Sequence, residues 1–524
     1  MMKKTKKILA LLLSVLMLMG SLSAAGVIAN AAEKYPTVYI SGYGRGIYAE
    51  KGNLKSEQYY PTGADVGAIV KEAIAPCLKE LALGIATGNY DKYCDELYNA
   101  VHPIYENLCL APDGTPKDNS GAGDKISSVS MDYSRFSGGE DGLPYDWRLS
   151  PETVADDLKT FVDNMLKKTG AKKVNIVGRC LGGNVLSAYL QNHKEHAKAN
   201  VNEVVLFIPS TEGMNMLGAL FSGKIKIVAE NIDLYAEEFL KYEAVIEDGA
   251  IRDFITVMLA IFEQGKVLGL GTDALQMLID TIKDNLVPRL IRRTYGSFPS
   301  FWSMVPASYL EDALSFVYNT PELKEEYAGT IAKARSYRDN VMVKARDCIK
   351  ELSGDIEINV ISKYNLPLPP IFADCKVTSD GFAETYYTSF GATTTEFGKA
   401  LSADYIAKMS EENKKFLSPD EKIDASTCAL PEYTWFVKNS YHDHFPESFD
   451  RLIETMLTTD DMTVFSNAEY PQFLEETGAE KLVAVEGKDK EKPADGSDEA
   501  KFNMLFKFIL TILEFFKRLF AKIG

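Results

Sequence analysis

Hydrophobic positions fall into distinct patterns along the chain, and their order predicts the architecture. Short apolar runs stand at 173–177 (K-V-N-I-V), 202–209 (N-E-V-V-L-F-I-P) and 356–362 (I-E-I-N-V-I-S), with a β-rich run at 37–41 (T-V-Y-I-S). Near-continuous runs of this length mark strands buried on both faces. A further strand is expected at 127–133. Apolar residues recur at helical spacing over 64–88, 151–168 and 184–196. Ser150 predicts an N-cap for the second of these, with Pro151 in its first turn. Strand 173–177, turn 178–183, helix 184–196 and strand 202–209 are joined by short connections, which makes a parallel βαβ unit.

Residues 214–350 break this alternation. Their pattern is almost entirely helical, as expected of a cap inserted over a sheet. After Asp380 the pattern predicts mostly helix and loop, to about 475. The chain therefore divides into 1–31, a first core segment 32–213, a helical cap 214–350, a second core segment 351–487, a charged linker 488–500 and a terminal helix 501–524. Residues 1–31 carry Lys3, Lys4, Lys6 and Lys7, then an apolar run, then Ala29-Asn30-Ala31. That is the pattern of a secretory signal peptide, and it predicts an extracellular protein. In the terminal segment Asn503, Lys507, Thr511, Glu514, Arg518 and Lys522 fall on one stripe of a helix. The stripe predicts a helix that lies on a membrane or cell surface, or on a partner.

The formal net charge of −17 would become more negative once the four leader lysines were removed. Such a balance offers nothing to neutralise a phosphate backbone and excludes nucleic-acid binding. Seven cysteines are present, an odd number. Disulfides are allowed outside the cell, but at least one thiol is left over. No cysteine pair has CxxC spacing and no metal site is expected.

One segment carries candidate chemistry. Gly178-Arg179-Cys180-Leu181-Gly182-Gly183 follows a buried strand and opens a helix, the setting of a nucleophile elbow. Cys180 is the candidate nucleophile. Gly178 and Gly182 give the strained turn room. The Leu181 N–H, at the helix start, is the expected first oxyanion donor. A second donor is expected from the Gly-rich turn after strand 37–41, with Tyr43 preferred and Gly44 the alternative. Cysteine chemistry calls for a histidine, and there are five. His193 stands on the elbow's own helix, thirteen residues on and roughly 20 Å away, and His196 is farther still. His102 precedes the nucleophile. His442 and His444 remain, with His442 preferred. Asp380, in a Ser-Asp-Gly turn after the cap, is the expected acid, with Asp374 and Glu384 as alternatives.

These residues carry a resemblance. The segment 142–151 (G-L-P-Y-D-W-R-L-S-P), followed by a helix and then the elbow, resembles the lecithin:cholesterol acyltransferase-like lipases. The resemblance extends to the turn at 42–44, to Asp380-Gly381 and to a late histidine. It implies an α/β-hydrolase fold, a mostly parallel sheet flanked by helices, and cleavage or transfer of fatty acyl groups on lipids without a cofactor. It further implies that Asp146, Trp147 and Arg148 lie near the acyl site. The cysteine departs from the family's serine. In that respect the G-x-C-x-G-G pattern resembles polyhydroxyalkanoate synthases and dienelactone hydrolases. Two readings follow. One is an acyl-ester hydrolase or acyltransferase that uses Cys180, His442 and Asp380 through a thioester. The other is an inactive hydrolase-fold module that binds lipids or surfaces.

Overall fold

The computed structural model describes residues 35–44, 46–60, 66–124, 142–228, 235, 272–477 and 481–487. The leader, the strand expected at 127–133, the linker and the terminal helix lie outside them.

A central sheet of seven strands organises the molecule: β1 (Thr37–Ile40), β2 (Val174–Arg179), β3 (Val201–Phe207), β4 (Glu357–Tyr364), β5 (Thr434–Lys438), β6 (Phe473–Glu476) and β7 (Leu482–Ala484). They lie side by side in chain order. The first six are parallel, and β7 turns back antiparallel on β6. Parallel neighbours need crossovers, so every loop that leaves a strand's C-terminal end emerges at one edge. Pairing of Ile40 with Gly178, and of Arg179 with Phe207, aligns three of those exits.

Side chains alternate across the sheet, as the strand period requires. Val38, Ile40, Val174, Ile176, Val204, Leu206, Ile358 and Val360 face one core. Tyr39, Val177, Val205, Phe207, Ile361, Trp435 and Val437 face the other, against Phe449, Leu452, Ile453 and Met456 of the helix Glu447–Thr458. Each fully buried side chain of this size contributes about 1.5–3 kcal/mol. Burial on both faces explains the near-continuous apolar runs.

The helix Pro151–Thr169 covers the whole expected range and runs one residue beyond it. Ser150 stands at its N-cap without a side-chain capping bond. Pro151 opens it, and Gly170 at φ 71° closes it. Strands β5, β6 and β7 were not expected where they occur. T-W-F-V-K at β5 is five residues long, and a run so short does not tell strand from buried helix. It is fully buried because it pairs with both β4 and β6.

Between β3 and β4 the described residues form helices and no strand, from Asn215–Phe221 through Thr272–Arg292 to Ala345–Leu352. An earlier helix pair, Val66–Thr87 and Asp91–Tyr105, joins this layer. Leu81, Tyr93 and Leu97 pack with Leu278, Ile279, Ile282 and Leu286 of Thr272–Arg292. The helical layer thus draws on two separate stretches of chain, which periodicity within either stretch does not reveal.

Candidate active site

Strand β2 ends at Arg179 and the next helix, Leu181–Asn192, begins two residues later. The whole turn is Cys180, at φ 50° and ψ −119°. A non-glycine residue at positive φ is held there by its surroundings at a cost of about 1–3 kcal/mol. Its N–H donates to Phe207 O (3.0 Å), and its carbonyl accepts from Gly183 N (2.9 Å) and Ser210 N (3.3 Å). The turn is tighter and the helix starts earlier than the sequence pattern suggests, because three glycines allow close approach. A Cβ on Gly182 would lie 2.2 Å from Ile40 O and 2.7 Å from Ser41 O. One on Gly178 would lie 2.9 Å from Gly182 O, and one on Gly183 2.6 Å from Pro209 Cβ.

His442 and Asp380 reach this turn from loops after β5 and β4. His442 Nε2 is 3.2 Å from Cys180 Sγ, and its Nδ1 is 2.7 Å from Asp380 Oδ2. The backbones of the two residues are also joined, His442 N–H donating to Asp380 O (2.8 Å). Asp380 Oδ1 accepts from the N–H groups of Phe382 (2.9 Å) and Ala383 (2.7 Å). Burial by itself would raise the carboxyl. The charge of His442 and these hydrogen bonds outweigh burial and hold it below its ordinary value. Burial would likewise depress the imidazole, but the charges of Asp380 and then Cys180 lift it well above an ordinary histidine. A carboxylate against a proton-holding imidazole, itself in reach of a thiol, can move a proton between sulfur and a reacting oxygen. Burial pushes the thiols of Cys77, Cys94, Cys348 and Cys428 up to about 11.

The alternatives are engaged elsewhere. His444 Nε2 pairs with Glu476 (3.1 Å). His193 pairs with Asp156 and His196 with Asp163. Asp374 is exposed and accepts from the Tyr309 hydroxyl. Glu384 is buried, which raises it to about 8, and accepts from Asn215 N–H. An acid kept neutral cannot stabilise an imidazolium.

The Leu181 N–H is the first amide of the elbow helix, and Tyr43 follows β1 on the loop beside it. Gly42 packs against the turn: a Cβ there would lie 3.2 Å from Cys180 Cβ. Gly44 has φ 112°, a conformation that favours glycine. The loop is held from behind by Tyr145, whose hydroxyl donates to Ser41 O (2.7 Å) and Gly42 O (3.1 Å). Trp147 packs edge-on against Tyr43 (4.4 Å), and also meets Tyr60 and Phe298. Phe301, from the inserted helices, lies 5.4 Å from Tyr43. Each such pair contributes about 0.5–1.5 kcal/mol beyond burial.

Asp146 and Arg148 are buried against each other, Arg148 Nη2 donating to Asp146 Oδ2 at 2.7 Å. Arg148 also donates to Leu108 O and Ser120 Oγ. Of the three residues tied to the acyl site by resemblance, Trp147 thus touches the Tyr43 loop, while Asp146 and Arg148 brace the segment. Breaking one partner of such a buried pair costs about 3–5 kcal/mol.

Tyr145 and Asn184 stand out here without having been singled out in the sequence. Asn184, in the first turns of the elbow helix, accepts from Ser210 Oγ (2.9 Å) and donates to Ser303 Oγ (3.0 Å), tying that helix to the insertion. A tyrosine beside the D-W-R motif and a polar residue on a buried helix face were the available signals.

Comparison with known families gives a match. The lecithin:cholesterol acyltransferase family matches residues 139–245, which span the braced segment, the helix Pro151–Thr169, the elbow and β3. No curated protein matches the chain. The family is one of lipase- and acyltransferase-like proteins. The chain therefore has the α/β-hydrolase fold and is similar over residues 139–245 to the lecithin:cholesterol acyltransferase family.

Proposed function

We propose that the protein is a cysteine-dependent acyl-ester hydrolase or acyltransferase acting on lipid-like esters. The observation that carries this reading is His442: one ring nitrogen lies 3.2 Å from a thiol on a strained elbow, the other 2.7 Å from a buried carboxylate. His442 Nε2 takes the Sγ proton, and the sulfur attacks the ester carbonyl. The oxyanion is met by the N–H groups of Leu181 and Tyr43. As the carbon–oxygen bond breaks, the imidazolium returns the proton to the leaving alkoxide, and a thioester remains on Cys180. Water or an alcohol then loses a proton to His442 and attacks the thioester, and the sulfur leaves. Asp380 holds Nδ1–H throughout, which keeps Nε2 free to accept. Sulfur and alkoxide differ in leaving ability, so timely protonation by His442 is what drives the first step forward.

The aromatic side chains of Tyr43, Trp147 and Phe301 beside the elbow favour an apolar acyl chain. The basic and apolar leader supports secretion, and the striped terminal segment supports attachment to a lipid surface. Hydrolysis of short- and long-chain p-nitrophenyl esters tests the reading. Activity should vanish in Cys180→Ala and after treatment with iodoacetamide. Activity that survives both contradicts it. A gain in Cys180→Ser would show instead a serine enzyme weakened by its cysteine.

A further inference from the structure

The loop that carries His442 rests on buried charges that the proposed chemistry does not use. Lys363, on β4, is fully buried. Its ammonium donates to the carbonyls of Tyr441 (2.8 Å), His442 (3.3 Å) and His444 (2.7 Å). Three acceptors are as many as its three protons can serve. The same Nζ lies 4.3 Å from the centroid of the Phe445 ring and 4.7 Å from that of Phe449. Phe445 meets a second cation, for the Arg179 guanidinium carbon lies 4.1 Å from its centroid. Arg179 immediately precedes Cys180. One ring, three residues after His442, is therefore held by a cation from the nucleophile strand and by another that binds the histidine's own loop.

We propose that Arg179, Phe445 and Lys363 form a clamp that sets the distance between His442 and Cys180, so that the three act as positioning residues. The inference rests on the cysteine chemistry proposed above. A lysine inside a sheet is costly: burial pushes Lys363 down to about 7, against the pull of Asp380, Glu476 and Asp443, with Arg179 adding to the push. An apolar side chain would fill that place at less cost. What it could not do is satisfy three carbonyls of a loop that has left the sheet. Glu476 secures the same loop from its other side through His444. The clamp thus fixes a loop between two strands that are not neighbours, β2 and β4.

Phe445 is only partly buried, so it can be changed without opening the core. Phe445→Leu removes the ring face that both cations use, and Phe445→Tyr keeps it. The full chain is alkylated with iodoacetamide across pH, the product is read on the Cys180 peptide by mass spectrometry, and thermal unfolding is followed alongside. In Phe445→Leu the rate near pH 6 should fall about tenfold, while the rate near pH 10 stays as in wild type. Phe445→Tyr should restore the wild-type profile. A wild-type pH profile in Phe445→Leu overturns the clamp, whatever happens to the melting temperature. An equal fall at all pH values, unrescued by tyrosine, overturns it as well, since that is lost packing. The readout needs no substrate. If the wild type turns over no ester, the proposed activity falls, and the clamp is still judged on the alkylation profile.

Discussion

Replacing Asp380 by asparagine separates charge and tautomer from shape. Asp380 Oδ1 is fixed by two N–H donors, from Phe382 and Ala383, and Oδ2 faces His442 Nδ1 at 2.7 Å. An asparagine must keep its oxygen toward the two amides, since an amide nitrogen there would oppose two donors. Its NH2 group then faces His442 Nδ1 and donates to it. The ring is driven to the tautomer with its proton on Nε2, toward Cys180, where it cannot accept the thiol proton. The lost charge adds to this. With charge centres about 4 Å apart and an effective dielectric constant of about 20, the imidazolium–carboxylate attraction is about 4 kcal/mol. At 1.4 kcal/mol per decade that is about a thousandfold. Asp380→Asn should thus lower kcat/KM about a thousandfold on p-nitrophenyl esters and slow neutral-pH alkylation of Cys180. The backbone bond from His442 N–H to Asp380 O is unaffected by the change. A variant that keeps more than a tenth of wild-type activity refutes the assigned role of Asp380.

Gly182→Ala should abolish most activity, because its Cβ would sit 2.2 Å from Ile40 O and 2.7 Å from Ser41 O, backbone atoms that lead into the Tyr43 loop. Steady-state kinetics with an unfolding scan check this, and a folded, fully active variant contradicts it. Glu203 is buried beside Glu357, and burial raises it to about 9 from an ordinary 4.5. The folded state then holds a proton that the unfolded chain has released, so this group's contribution declines as pH rises from about 4.5 to about 9. Glu203→Gln should therefore be more stable than wild type at pH 8, by up to about 5 kcal/mol, with the gap closing toward pH 4. Denaturant titrations at both values check it, and a constant gap contradicts it.

The elbow was legible in the sequence because its constraints are local. A strand, a turn with no room for side chains and a helix must follow one another within a few residues, so the glycines around Cys180 reveal the turn. His442 was legible mainly by elimination, from chain order and the reach of a helix. Its preference over His444 becomes a distance only in the fold, where His444 turns to Glu476. The strands after β4 were missed because β5 is short and its burial comes from neighbours far along the chain. The clamp was invisible for the same reason. Arg179, Lys363 and Phe445 are unremarkable singly, and their meaning lies in a meeting that sheet order alone produces. Resemblance puts the D-W-R segment near the acyl site. Its geometry shows how it bears on the elbow: Tyr145 and Trp147 hold the Tyr43 loop, and the Asp146–Arg148 pair holds the segment.

The most direct test of Cys180 as nucleophile is to trap the acyl-enzyme. The protein is mixed with a p-nitrophenyl ester and quenched in acid during turnover, and its peptides are weighed. The Cys180 peptide should gain the mass of the acyl group and lose it in neutral hydroxylamine, and no such adduct should form in Cys180→Ala. An acyl group found on a serine or threonine, with ester turnover intact in Cys180→Ala, would contradict the account.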